Sequence, residues 1–98
     1  MPAYVVGLHR ITDASKFEEY KAKIGPMVAK YGGRYLTRGE NLRMPEGGYW
    51  TPERIVVIEF PDRAAINAWY TSLEYQPLIE LRKACQSEND MTFFMDGL

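Results

Sequence analysis

Two helical stripes separated by strand-like segments are the feature of this sequence that most limits its fold. Apolar side chains recur every three or four residues from Phe17 to Tyr31 and again from Ala65 to Leu73, which is the period of a helix that buries one face. Segments rich in β-branched and aromatic residues come before, between and after the stripes, and this composition is typical of strands. The predicted order is β-α-β-β-α-β, with a short third helix after the second stripe.

Most of the predicted elements have clear ends. Thr12 or Asp13 can cap the first helix, Pro26 is expected to kink it, and the glycines at 32–33 end it. Ser72 can cap the third helix. The predicted strands span residues 3–11, 34–38, 54–60 and 91–95, and the second is allowed to continue through Leu42 and Met44.

The order of elements predicts an α+β fold of the ferredoxin-like kind. The 98 residues allow one domain, so residues 1–98 are expected to form a single unit. Its four strands are predicted to make an antiparallel sheet in the order 4-1-3-2, with both main helices on one face.

The predicted strands are apolar on both faces, although a sheet with one wet face alternates between apolar and polar residues. In the third strand Ile55 and Val57 point one way and Val56, Ile58 and Phe60 the other, and in the fourth strand Met91, Phe93 and Met95 oppose Phe94. We therefore expect a homodimer through the helix-free sheet face, in which two sheets pack face to face. The alternative is a monomer that leaves some of these side chains exposed.

Charge and composition exclude several classes of function. Twelve basic and thirteen acidic residues give a net charge of −1, and no basic stripe is present, so neither nucleic acid nor a membrane surface is an expected partner. One histidine and one cysteine rule out the usual structural zinc site and an internal disulfide. No cofactor is expected, and the absence of a signal-like N-terminus together with the single cysteine predicts a cytoplasmic protein.

Several motifs make the chain similar to the family known as domain of unknown function 1330. They are the segments 30–36, Lys-Tyr-Gly-Gly-Arg-Tyr-Leu, 54–61, Arg-Ile-Val-Val-Ile-Glu-Phe-Pro, and 69–76, which contains Trp-Tyr and Ser-Leu-Glu-Tyr-Gln. The resemblance implies a dimeric α+β barrel of bacterial type, in a superfamily that includes cofactor-independent monooxygenases, muconolactone isomerases and haem-binding dismutases. It implies no particular activity. Family members often carry an acidic residue near the end of the first strand, where this chain has Leu8-His9-Arg10.

Glu59 is the first candidate catalytic residue, because it lies in a run of β-branched residues and a buried carboxylate must be paired or become neutral. A hairpin of the second and third strands would place it opposite residues 34–38. It is either a general base or ligand anchor with a raised pKa, or the partner of an arginine that holds the sheet or the dimer.

His9 is the second candidate, since it is the only side chain expected to titrate near neutral pH. Pairing of the first and third strands places it near Arg54, about 13 Å along the sheet from Glu59. A direct pair with Glu59 within one subunit is therefore not expected. His9 is either a base or a residue that closes the end of the strand.

Aromatic side chains at the same end of the sheet are the candidate ligand-binding residues. Trp69, Tyr70 and Tyr75 either pack in the core or form a flat apolar pocket with phenolic hydroxyls. Arg38 and Arg82 are candidates to hold a carboxylate in that pocket, because a guanidinium binds one with two hydrogen bonds.

Two functions of different classes fit these residues. The first is a pocket between helices and sheet for a small aromatic or carboxylated metabolite, with cofactor-independent proton-transfer or oxygenase-type chemistry in which Glu59 or His9 is the base. The second is a non-catalytic dimer that senses a ligand or contacts another protein.

Overall fold

The protein, described over residues 1–98 by a computed structural model, contains four strands and three helices. In chain order they are β1 (Ala3–His9), α1 (Ala14–Lys30), β2 (Arg34–Thr37), β3 (Arg54–Phe60), α2 (Arg63–Tyr70), α3 (Gln76–Lys83) and β4 (Met91–Asp96). The strands form one antiparallel sheet in the order β2-β3-β1-β4. This arrangement confirms the predicted α+β, ferredoxin-like fold and its strand order.

Aspartate side chains start the two helices that follow strands. The carboxylate of Asp13 accepts a hydrogen bond from the backbone N–H of Lys16 at 3.1 Å, and that of Asp62 accepts one from Ala65 at 2.8 Å. Each satisfies an N–H of the first turn that has no partner within the helix. Asp13, rather than Thr12, is therefore the cap of α1, which continues through Pro26 as far as Lys30.

Two strands end earlier than the sequence predicts. β1 ends at His9, and Ile11 forms only an isolated bridge with Gln86. β2 ends at Thr37, so the predicted extension through Leu42 and Met44 is wrong; the chain instead follows an irregular path over residues 38–53, with Asn41 in a left-handed conformation at φ 57°. Such a φ lies outside the β region, so a single strand cannot run through Asn41 to Met44.

The second helix is shorter than its apolar stripe predicts. The stripe includes Leu73, but α2 ends at Tyr70 and Leu73 is 90% exposed. The hydroxyl of Ser72 donates to the carbonyl of Trp69 at 2.8 Å and accepts from the backbone N–H of Tyr75 at 3.3 Å. Ser72 thereby closes a turn between α2 and α3, which directs Leu73 outward.

The helices cover one face of the sheet and form the core with it. Ala3 and Val5 of β1 lie beside Phe60 and Ile58 of β3 on this face, and all four are buried. Helix residues complete the cluster; the buried ones are Ile24, Val28, Ile66, Trp69, Leu78 and Ile79. None of the helices is long and apolar enough to span a bilayer.

The opposite face carries apolar side chains that nothing in the chain covers. Leu36, Met91, Phe93 and Met95 are exposed to 46%, 44%, 50% and 47% respectively. At one end of this face, residues of the irregular 38–53 segment enclose a cavity of about 330 Å³ against Leu8 and Ile55. The predicted distribution of apolar residues on both faces is therefore present in the structure.

Candidate functional site

A cavity of about 460 Å³ lies between α1, α3 and the helix-covered face of the sheet. Its aromatic wall consists of Phe17, Tyr20, Tyr35, Trp69 and Tyr75. Its main polar side chains are His9, Arg38, Arg54 and Arg82. A mostly apolar cavity with a few convergent polar groups is the usual form of a small-molecule site.

His9 forms a pair with a carboxylate that the sequence did not single out. The Nδ1 atom of His9 lies 3.3 Å from Oδ2 of Asp90, and the two side chains are 12% and 1% exposed. The other oxygen of Asp90 accepts hydrogen bonds from the backbone N–H of Arg10 at 2.9 Å and from the hydroxyl of Ser87 at 2.6 Å. The carboxylate is thus held from three sides and orients the imidazole.

Gly7 makes room for this orientation. A Cβ atom at Gly7 would stand only 2.5 Å from Nε2 of His9, which is closer than two such atoms can approach. The two residues are two positions apart on β1 and share its helix-covered side. The imidazole therefore lies across the sheet on the cavity side, with Nδ1 occupied by Asp90 and Nε2 free to accept a proton.

Burial and neighbouring charges set the protonation of His9. Burial lowers the pKa of His9 below its ordinary value, because the charged form loses hydration; Asp90 opposes this shift, and Arg82 and Arg54 reinforce it. A histidine with a lowered pKa is neutral at pH 7. His9 is therefore in the form that can act as a base.

The aromatic residues pack in one tight cluster. The rings of Trp69 and Tyr75 lie 4.4 Å apart between centroids, and the hydroxyl of Tyr75 is 2.8 Å from that of Tyr20. Burial raises the pKa of both tyrosines, so both remain protonated at neutral pH. They present hydroxyl groups, not phenolates, to the cavity.

The predicted ligand-binding residues divide into two groups. Trp69 and Tyr75 line the cavity, and so does Arg38, whose guanidinium lies 4.3 Å from the centre of the Tyr35 ring. Tyr70 does not form part of the cavity wall. It packs behind it, 5.9 Å from Trp69 and 5.2 Å from Phe94 between ring centroids.

Glu59 lies on the opposite, helix-free face of the sheet. Its carboxylate accepts hydrogen bonds from Nε of Arg34 at 2.9 Å and from the hydroxyl of Tyr4 at 3.2 Å. The expectation of a pocket between helices and sheet that contains Glu59 is therefore corrected, because Glu59 shares its strand face with Ile55 and Val57 and no ligand in the cavity can reach it. The pair with Arg34 is the second role that the sequence predicts for Glu59, that of an arginine partner within the sheet.

The sequence reasoning missed Asp90 and gave Arg54 no role. Asp90 follows from the predicted topology, since antiparallel pairing of β1 with β4 matches Leu8 with Met91 and so brings His9 beside Asp90. No spacing in the sequence indicates this pair, whose members are 81 residues apart. Arg54 was placed beside His9 as the strand register shows, but its side chain was not expected in the cavity.

The structure shows neither a metal-binding cluster nor an exposed cysteine. No group of three or more His, Cys, Asp or Glu side chains comes together in a way that could hold a metal ion. Cys85 is buried, and its thiol donates a hydrogen bond to the carbonyl of Arg82 at 3.3 Å. Burial raises the pKa of that thiol, which disfavours the reactive thiolate.

Fold and site together define a small ferredoxin-like α+β protein with an aromatic, arginine-lined cavity on the helix-covered face of its sheet. The chain belongs to the family described as domain of unknown function (DUF1330), whose model matches residues 2–97. No curated protein matches this sequence.

Several solved structures share the fold. A protein of unknown function from Rhodopseudomonas palustris has a TM-score of 0.85 at 19% identity, over 99% of this chain and 82% of its own. A dimeric ferredoxin-like protein of unknown function from Jannaschia sp. CCS1 has a TM-score of 0.74 at 13% identity, over 99% of this chain and 100% of its own. SnoaB, a cofactor-independent oxygenase from Streptomyces nogalater, has a TM-score of 0.70 at 13% identity, over 99% and 93%. At these identities the likeness concerns the fold.

Proposed function

We propose that the protein binds a small aromatic or carboxylated metabolite in the cavity and removes a proton from it without a cofactor, with His9 as the base. The observation that carries this proposal is the buried His9–Asp90 pair at the wall of an aromatic cavity. A histidine held by a carboxylate through one ring nitrogen presents the other nitrogen in a defined direction. His9 is neutral at pH 7 and accepts the proton at Nε2.

The remaining cavity residues fit the anion that proton removal produces. Loss of a proton from a C–H beside a carbonyl leaves an enolate, whose oxygen carries negative charge. Arginine and tyrosine donors near that oxygen stabilise it, and this stabilisation is strong in a site shielded from water. The hydroxyl of Tyr75 and the guanidinium of Arg82 lie 3.5 Å apart and can both serve this role.

Oxygenase-type chemistry is the natural extension of this reaction. SnoaB, which shares the fold, is a cofactor-independent oxygenase. An aromatic substrate that becomes electron-rich on deprotonation is the type of molecule that can react with dioxygen directly. The proton transfer at His9 is the step that this chain's own residues support.

Phenylpyruvate is a suitable probe, because it combines an aromatic ring, a carboxylate and an acidic C–H. The exchange of its C3 hydrogens in D₂O is followed by NMR with wild-type protein, and the background without protein is subtracted. We expect catalysed exchange, and a loss of about 10²- to 10⁴-fold in His9→Asn, because asparagine cannot accept the proton. Exchange equal to background with the wild type, or full exchange in a folded His9→Asn, would refute the assignment of the base.

Asp90→Asn separates positioning from simple stability. The charge of Asp90 raises the pKa of His9, so its removal is expected to slow the exchange and to move the acidic limb of the pH–rate profile to lower pH. Asp96→Asn is the matched control, since Asp96 forms an exposed pair with Arg63 far from the cavity. A purely structural role would lower the rate of Asp90→Asn without moving the limb.

A homodimer through the helix-free face forms part of the same proposal. The supporting observation is the group of half-exposed apolar side chains on that face. Single apolar residues are common on protein surfaces, but a group of them on one face is typical of an interaction site. The similar protein from Jannaschia is described as dimeric. Phe93, at the centre of this face opposite Val6, is expected to be buried between the two sheets.

Sedimentation velocity tests the dimer directly. Wild-type protein is expected at twice the mass of the chain, 11.3 kDa, and Phe93→Asp at the mass of one chain. Leu73→Asp is the matched control, because Leu73 is 90% exposed on the other side of the molecule. A monomeric wild type, or a dimer that persists in Phe93→Asp, would exclude this face as the interface.

The second candidate function is a non-catalytic dimer that senses a ligand or contacts another protein. The exposed apolar face favours it, because that face can serve association without any chemistry in the cavity. Binding of phenylpyruvate without exchange of its C3 hydrogens would favour this candidate over the enzyme.

A further inference from the structure

The seven arginines of this protein differ in whether they have a carboxylate partner. On the surface, Arg10 pairs with Glu53, Arg34 with Glu59 and Arg63 with Asp96, while the exposed Arg43 forms no ion pair. The arginines that line the cavity, Arg38, Arg54 and Arg82, form no ion pair within the chain. Arg38 is exposed, Arg54 is half-buried and Arg82 is buried. Arg54 and Arg82 therefore carry charges that are shielded from water and have no carboxylate partner.

Arg82 is the extreme case. It is 8% exposed, and its side-chain hydrogen-bond partners are tyrosines: Nη1 donates to the hydroxyl of Tyr75 at 3.5 Å, and Tyr70 is a second partner. An isolated charge in an apolar environment is costly unless a counter-charge and hydrogen bonds accompany it. The phenol of Tyr75 is neutral, so it cannot supply the counter-charge.

The buried polar atoms that lack a hydrogen-bond partner also lie around the cavity. The protein has three of them: Nε of Arg54, Nε of Arg82 and Nε1 of Trp69. All are N–H donors, and all belong to residues that line the cavity of about 460 Å³. Buried donors are almost always satisfied in proteins, so these three mark a place where acceptor atoms are missing.

The charge of the cavity wall points to the same conclusion. Lys21 and Glu18 both line the cavity and pair with each other at 2.9 Å, so their charges cancel. The three arginines then face a single carboxylate, that of Glu40. With His9 neutral, the cavity carries an excess of positive charge and favours an anion.

We infer that the ligand of this cavity is a planar aromatic carboxylate, whose carboxylate group binds to Arg82 together with Arg54. The inference rests on the proposed function only in that the cavity is the ligand site. A carboxylate supplies the missing counter-charge and several acceptor lone pairs to guanidinium groups. The aromatic wall around Trp69 and Tyr75 accommodates the ring.

The chemistry distinguishes this ligand from a neutral aromatic molecule of the same shape. A neutral amide fills the same volume and keeps the stacking surface, but it leaves Arg82 without a counter-charge. The preference for the acid over its amide therefore measures the contribution of the arginines and separates it from the fit of the ring.

The experiment compares 2-naphthoate with 2-naphthamide by isothermal titration calorimetry and by ligand-observed NMR. We expect wild-type protein to bind 2-naphthoate at least tenfold more tightly than 2-naphthamide. Arg82→Met is expected to abolish the preference, because methionine keeps much of the side-chain volume but carries no charge. Arg34→Met, on the opposite face of the sheet, is the matched control and is expected to keep it.

Each outcome has a defined consequence. Equal binding of the two compounds overturns the inference but leaves the cavity as a ligand site. No binding of either compound at millimolar concentration overturns both. A preference that persists in Arg82→Met and in Arg54→Met excludes these arginines as the carboxylate site.

Thermal unfolding provides the second measurement. Without ligand, Arg82→Met is expected to raise the unfolding temperature, since it removes a buried charge that lacks a counter-charge. With 2-naphthoate, the wild type is expected to be stabilised and Arg82→Met is not. An Arg82→Met protein that unfolds at a clearly lower temperature than the wild type would show that Arg82 has a structural role and would contradict the inference.

Discussion

The two faces of the sheet differ in what each leaves unsatisfied. The helix-covered face buries charge without a counter-charge, with Arg82 as the clearest case. The helix-free face pairs its charge, through Arg34 and Glu59, but leaves apolar area exposed around Phe93. A buried charge without a counter-charge favours the binding of a small ion of opposite charge, whereas exposed apolar area on a flat face favours contact with another protein surface. We therefore expect alternate residues of β3 to contribute to the proposed ligand site and to the proposed dimer interface.

Trp69→Ala should have the largest effect on stability. Trp69 is 2% exposed and packs against Phe60 and Tyr75 on the helix-covered face, so its truncation is expected to cost about 3–5 kcal/mol of unfolding free energy. Phe93→Ala, which truncates an aromatic side chain that is 50% exposed, is the counterpart on the other face. Urea unfolding at low protein concentration measures both, and equal losses would show that the two faces do not differ as described.

Gly7→Ala is expected to damage the site with a smaller effect on the fold. The added methyl group occupies the position of the His9 imidazole and forces the ring away from Asp90. Catalysed exchange of phenylpyruvate should fall by about tenfold or more, the cost of roughly 1.4 kcal/mol in positioning.

Gly25→Ala is the control for that substitution. A Cβ atom at Gly25 meets nothing within 4 Å, and alanine is favoured over glycine inside a helix by roughly 1 kcal/mol. This variant should keep the exchange rate and gain stability. Loss of exchange in Gly25→Ala as well would mean that the assay reports general stability.

The pH dependence of stability should reveal the buried histidine. The folded protein lowers the pKa of His9 below 6.5, so on acidification the unfolded chain takes up this proton first. Stability is therefore complete above about pH 7 and decreases as the pH falls through 6.5, by at most about 1.4 kcal/mol per pH unit. Chemical unfolding at several pH values should show this slope in the wild type and its absence in His9→Gln.

Glu59→Gln should have the smallest effect. The side chains of its pair with Arg34 are 70% and 26% exposed, and such pairs contribute about 0.2–1 kcal/mol. Binding of 2-naphthoate should not change, because the cavity lies on the other face. A loss of binding in Glu59→Gln with normal folding would restore Glu59 as a candidate for the site.

The fold and part of the site could be predicted from the sequence. The stripes that contain Phe17 and Ile66 identified the helices, and alternation within β3 assigned Ile55 and Ile58 to opposite faces. The same alternation places Glu59 with Ile55, away from the cavity. The partnership of His9 with Asp90 was not predictable from spacing, because it depends on the exact register of β1 against β4.

By itself, the sequence determined the periodicities, and with them the elements, their order and the two apolar faces of the sheet, because these depend on neighbours within a few residues. The tertiary structure decided which side chains meet: it ended β2 at Thr37, turned Leu73 outward, and brought His9, Arg54, Arg82 and Trp69 to one cavity. Such meetings depend on strand register and helix packing between distant segments. A shift of one residue in the pairing of two strands moves every side chain of the shifted strand to the opposite face of the sheet. The local sequence pattern does not specify that register.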